Sequence, residues 1–107
     1  MQSLAIPNLP ISLTHRKISS FCKSWKVSEL ALFGSVLRSD FRPNSDIDLL
    51  VTFTPDTTRS LFDLIQMQEE LEDLFGRPVD LVERDTIRNP FRKRTILGNL
   101  QVIYAAQ

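Results

Sequence analysis

The chain has 107 residues, 42% of them hydrophobic, and its 13 Lys plus Arg offset 13 Asp plus Glu to a formal net charge of zero. That length makes one domain, 1–107, able to bury on the order of 60–70% of its unfolded surface, and the apolar content excludes a disordered chain. Zero net charge lacks the positive excess of a dedicated nucleic-acid binder, the single Cys22 excludes an intrachain disulfide or a cysteine-cluster zinc site, and no run of 18 apolar residues is present to span a membrane.

Pro7 and Pro10 make residues 1–11 an irregular lead-in. Met1 to Leu13 carry no basic residue and no long apolar run, unlike a signal peptide, so a soluble, cytoplasmic chain is expected. Ser12 suits the N-cap of a helix to about Ser24, with Ile18, Phe21, Cys22 and Trp25 on one face. Cys22 reads as a small hydrophobe packed in that helix. Glu29 to Phe33 reads as a buried strand. Ser35 to Arg38 reads as one helical turn, with a polar loop through Pro43 behind it. Ile47 to Phe53 is the strongest strand of the chain, followed by a turn at Pro55-Asp56-Thr57-Thr58.

Ser60 caps an amphipathic helix, with Asp63 at its third position near the positive end of the helix dipole. Leu64, Met67, Leu71, Leu74 and Phe75 form its apolar stripe, read as core, and Gly76 with Pro78 ends it. Val79 to Glu83 is a third strand, Asn89-Pro90 opens a last helix to about Leu97, and Gln101 to Tyr104 fits a short terminal strand. Arg88, Arg92, Lys93 and Arg94 form a local basic cluster, either a solvated helix face or a surface that contacts phosphate or a partner. The only histidine, His15, sits on a polar turn and reads as a surface residue. Strands interleaved with helices predict an α/β (α+β) fold with the sheet covered mainly on one face.

The chemistry lies between the first two strands. Gly34-Ser35 is followed by ten residues and then Asp46-Ile47-Asp48. Strand side chains alternate faces, so Asp46 and Asp48 project together while Ile47, Leu49 and Val51 face the core. Paired carboxylates on one face repel unless a cation lies between them, and oxygen-preferring Mg²⁺ is the natural candidate. With 8 Asp in the chain, chance gives about 0.6 Asp-x-Asp pairs, falling to roughly 0.002 once Gly-Ser is required at this spacing. Asp80 alternates outward from Val79 and Leu81 in the same way. It joins the patch if its strand lies beside the one carrying Asp46, and is otherwise a plain strand-end carboxylate. None of the three glycines falls in a Walker A or Gly-x-Gly-x-x-Gly pattern.

With Gly34-Ser35, Asp46-Ile47-Asp48, Val79-Asp80-Leu81-Val82 and the closing Arg94-Thr95-Ile96-Leu97 with Val102-Ile103-Tyr104, the chain resembles the minimal nucleotidyltransferases of the DNA polymerase β-like superfamily. The resemblance runs from about Ile11 to Tyr104. It departs from the family's pattern at Leu37 and Ser39, where a small residue and a glycine are common, and keeps the intervening Arg38. It implies the nucleotidyltransferase fold, with a mixed sheet, and Asp46, Asp48 and Asp80 as catalytic metal ligands for two Mg²⁺ ions roughly 3.5–4 Å apart. Gly34 would let the backbone approach the triphosphate of ATP, Ser35 would donate hydrogen bonds to it, and Arg38 would contact phosphate or brace the loop. The chain has no room for an acceptor-gripping domain, so the acceptor is expected on another protein. Stand-alone members frequently serve as antitoxins that transfer AMP to a tyrosine of a HEPN-domain ribonuclease toxin. That protein adenylyltransferase activity is the expected function; the alternatives are a non-catalytic antitoxin acting by binding, or a small-molecule nucleotidyltransferase. Neither direct nucleic-acid binding nor membrane attachment is expected.

Overall fold

The structure, a computed structural model, describes residues 3–4, 13–34, 46–55 and 59–106; the expected N-cap Ser12 and helical turn Ser35–Arg38 lie outside them. In chain order the elements are β1 (Ser3–Leu4), β2 (Leu13–Thr14), α1 (His15–Ser24), β3 (Val27–Phe33), β4 (Ile47–Phe53), α2 (Leu61–Phe75), β5 (Val79–Glu83), a 3₁₀ turn (Arg84–Thr86), α3 (Pro90–Gly98) and β6 (Gln101–Ala105). The main sheet is mixed, in the order β5-β4-β3-β6. β3 pairs antiparallel with both β4 and β6, while β4 and β5 run parallel. A parallel pair needs a crossover helix, and α2 is that crossover.

The main core fills one face of this sheet. Leu30, Leu32, Ile47, Leu49, Val51, Val79 and Ile103 point into it and meet Ile18, Phe21 and Cys22 of α1 and Met67, Leu71 and Phe75 of α2. Leu64, Leu74 and Trp25 pack at its margin. The stripes anticipated on α1 and α2 are therefore core, as is the Ile47-Leu49-Val51 side of β4. Burial pushes the Cys22 thiol from its ordinary value of 9.0 up to about 12. At neutral pH it is a protonated, inert filler.

The opposite face holds a second, smaller cluster. Phe33 and Leu50 meet Ile87 and Ile96, with Val82, Leu97 and Leu100 against them. Among the described residues, α1 and α2 cover one face, and α3 covers part of the other because Ile96 and Leu97 are apolar on its sheet side.

Local chemistry sets the helix ends. Ser60 Oγ accepts from the Asp63 amide at 3.2 Å while Asp63 Oδ2 accepts from the Ser60 amide at 3.0 Å, a reciprocal capping box. Gly76 takes the left-handed conformation (φ 71°), and its N–H donates to the Glu72 carbonyl at 2.8 Å. Asn89 Oδ1 accepts from the amides of Phe91 and Arg92, with Pro90 at the first helical position. Three features depart from expectation. Ser3–Leu4 pairs with Leu13–Thr14, so the lead-in is not wholly irregular. Strand β3 begins at Val27, after Lys26 turns the chain at φ 57°. The 3₁₀ turn Arg84–Thr86 extends β5. Among the described residues, no helix is long and apolar enough to cross a membrane.

Candidate active site

Register decides where the acidic residues meet. In the β4–β5 ladder Ile47 pairs with Val79 and Asp48 with Asp80. Paired residues of a parallel ladder point to the same side of the sheet, so Asp48 and Asp80 are lateral neighbours. Asp46 immediately precedes β4. The Ile47 amide donates to the Pro78 carbonyl at 2.9 Å, which ties the starts of the two strands together. All three carboxylates therefore lie at one end of the sheet, the end where β3 finishes, because Phe33 is the antiparallel partner of Asp48.

Gly34 completes this corner. It follows β3 in the left-handed region at φ 74°, and a Cβ built there would collide with Asp48 Oδ2 and lie 3.2 Å from its Cγ. The Asp48 carboxylate lies against the bare Cα, a place only glycine leaves open. Asp46 and Asp80 are exposed and Asp48 is half-buried. Among the described residues, no three His, Cys, Asp or Glu side chains are already drawn into a metal-holding group. The ladder thus fixes neighbouring backbone positions and a common face for Asp48 and Asp80. The donor set, carboxylate oxygens on a solvent-open rim, is chemically that of a Mg²⁺ site. Ser35 and Arg38 lie outside the described residues.

One supporting residue carries no sequence signal. Glu72 Oε2 accepts from the Val79 amide at 3.0 Å, and Gln68 Oε1 lies 3.5 Å from the Leu81 amide. These amides belong to β5, an edge strand of the sheet, and α2 side chains take the place of a further strand there. A glutamate seven residues before Val79 is indistinguishable in sequence from the other acids of α2; only the crossover geometry brings it to that amide.

A family model described as a nucleotidyltransferase domain matches residues 15–103. The chain belongs to the nucleotidyltransferase family. It is 33% identical over 104 residues to the protein adenylyltransferase MntA of Thermococcus cleftensis, covering 97% of this chain and 99% of that one. A solved toxin–antitoxin structure with AMP-PNP superposes at a TM-score of 0.70 with 22% identity, covering 89% of this chain and 76% of that one. A tri-AMPylated Shewanella oneidensis HEPN toxin in complex with its MNT antitoxin gives a TM-score of 0.62 at 19% identity, covering 86% and 70%. At those identities the likeness is one of fold. The nucleotidyltransferase fold and its mixed sheet stand as expected, and the reaction class of this nucleotidyltransferase is transfer of a nucleotidyl group.

Proposed function

We propose that this nucleotidyltransferase is an antitoxin that transfers AMP from ATP to a tyrosine of a cognate HEPN-domain toxin in the cytoplasm. The observation that carries the reading is the Asp48–Asp80 register with the Asp48 carboxylate seated on Gly34. It supports Asp46, Asp48 and Asp80 as one acidic site at the end of the sheet that Gly34 closes. The names of the Thermococcus relative and of the toxin–antitoxin structures support the choice of acceptor and of ATP.

In this reading Asp46, Asp48 and Asp80 hold Mg²⁺, which when bound neutralises phosphate charge and lowers the pKa of a bound hydroxyl. The Gly34 backbone N–H and Ser35 donate hydrogen bonds to the triphosphate, while the bare Cα of Gly34 seats the Asp48 carboxylate. Arg38 adds a phosphate contact. The tyrosine oxygen forms a bond to the α-phosphorus as the bond from that phosphorus to the bridging oxygen breaks. Pyrophosphate leaves with the bonding pair, and the tyrosine proton passes to Asp80. Proton acceptance by a positioned carboxylate is ordinary general-base catalysis.

Asp46→Ala combined with Asp48→Ala is expected to abolish incorporation of labelled AMP into the toxin while leaving the circular dichroism spectrum unchanged. Retained labelling in the double variant would defeat the assignment. A purely steric antitoxin is the second reading. Mass spectrometry of the co-expressed toxin separates the two, since only transfer leaves the mass of AMP on tyrosine.

A further inference from the structure

The antiparallel ladder of β3 and β6 ends with Leu32 beside Gln101. One step further along the two chains stand Phe33 and Leu100, and two steps further Gly34 and Asn99. Packing supports the first of these continued pairs, because Phe33 and Leu100 belong to one apolar cluster beneath α3. Opposed residues of an antiparallel ladder lie about 4.5–5.5 Å apart, so the second step brings Asn99 beside Gly34. β3 runs between β4 and β6. Asp48 therefore flanks Gly34 on one side and Asn99 on the other.

The fold makes no use of the Asn99 side chain. Its backbone N–H closes α3 by donating to the Ile96 carbonyl at 3.2 Å, which any residue but proline can do. Its φ of −139° lies far from the left-handed conformation that favours asparagine at helix ends. Asn99 is exposed, and among the described residues its side-chain amide has no hydrogen-bond partner. A group with two N–H donors and no structural duty thus stands at the corner that holds the carboxylates.

Across the strand ends, in the sheet order β5-β4-β3-β6, Asp80, Asp48, Gly34 and Asn99 follow one another at about 4.8 Å per strand. Charge changes along that row: carboxylates come first, then the Gly34 backbone, then a neutral amide. A triphosphate laid over it has a preferred direction. Its α-phosphorus belongs at the carboxylate end, where bound Mg²⁺ offsets the repulsion. Its terminal phosphates belong at the other end, farthest from the acids and nearest to N–H donors.

We propose that Asn99 is a substrate-contacting residue whose side-chain amide donates a hydrogen bond to the terminal phosphates of the nucleotide. This rests on the nucleotidyl-transfer reading of the site above. When the bond from the α-phosphorus to its bridging oxygen breaks, the electron pair stays with pyrophosphate. A donor already fixed at Asn99 meets that growing charge without reorganising.

Calorimetric titration of Mg²⁺–pyrophosphate into the full chain tests the contact without needing turnover. Asn99→Ala is expected to weaken pyrophosphate about ten-fold, the value of one hydrogen bond to a charged group. Asn99→Asp, alike in shape but charged, should weaken it about a hundred-fold. AMP, which lacks the terminal phosphates, should bind all three proteins equally. In steady-state transfer to the cognate HEPN-domain toxin, Asn99→Ala should raise the KM for ATP and lower kcat, and leave the KM for toxin unchanged. Pyrophosphate binding that is absent from the wild type, or equal in wild type and Asn99→Ala, overturns the contact whatever happens to kcat or the melting temperature. So does weakening that AMP shares equally, or a changed choice between ATP and GTP with pyrophosphate binding intact, which places the nucleoside at Asn99. A wild-type chain that binds pyrophosphate as expected but transfers no AMP to toxin overturns the adenylylation reading instead.

Discussion

At the scale of single residues, two glycines separate geometry from composition. Gly34 has φ 74° and no space for a Cβ beside the Asp48 carboxylate, whereas a Cβ on Gly98 meets nothing within 4 Å. The same substitution therefore has opposite consequences. Gly34→Ala forces a left-handed alanine, costing about 1–2 kcal/mol, and must displace the Asp48 carboxylate. AMP transfer is expected to fall on the order of 100-fold, the scale of an ångström-level misplacement in a site, with the melting temperature lowered by several degrees. Gly98→Ala ends α3 with a better helix former and is expected to gain about 0.4–1 kcal/mol with full activity. Steady-state AMP incorporation and thermal melts of both variants check the pair. Wild-type activity in Gly34→Ala would remove the close approach from the argument.

At the scale of elements, β5 is held by more than its ladder to β4. As an edge strand it presents outward amides, and the Glu72 carboxylate of α2 accepts from that of Val79. Glu72→Ala leaves that partly buried N–H without its charged acceptor, a loss of about 1.5–3 kcal/mol. Because Asp80 is the next residue, the variant should also lose transfer activity beyond what its stability predicts. Activity measured well below the melting temperature separates the two effects; a stability loss with unchanged kcat would make Glu72 purely structural. This contact also marks the limit of what the sequence discloses. Capping boxes, the α2 stripe and the alternation of β4 are local patterns, and they predict α2, β4 and β5 to within a residue or two. The Gly-Ser and Asp-x-Asp spacing likewise singles out Gly34, Asp46 and Asp48 as candidates. That Asp80 is the register partner of Asp48 depends on a parallel pairing made across the α2 crossover, which no local pattern records. The two-residue β1–β2 ladder has no periodicity to detect. The exposed placement of Phe91 is similarly hidden, since an aromatic near basic residues fits a buried or an open helix face equally well.

At the scale of the whole molecule, the β4–β5 pairing gathers Asp46, Asp48 and Asp80 at one end of the sheet. Like charges gathered at neighbouring strand ends are expected to cost the native state some stability, as at a functional site. Ligand binding to the native state alone should reverse that cost. Mg²⁺ with ATP at about one hundred times its Kd adds ~2.7 kcal/mol, which for a domain of this size raises the melting temperature by roughly 10–20 °C. Asp46→Asn with Asp80→Asn should abolish that shift. In EDTA without nucleotide the same variant should melt at or above the wild-type temperature, because two of the three like charges are gone while the core of α1, α2 and the sheet is untouched. Both outcomes follow from one arrangement of charge and are read in a single set of melts. A double variant that keeps the full Mg²⁺–ATP shift would place nucleotide elsewhere on the molecule. One that melts well below wild type in EDTA would show instead that these carboxylates support the fold.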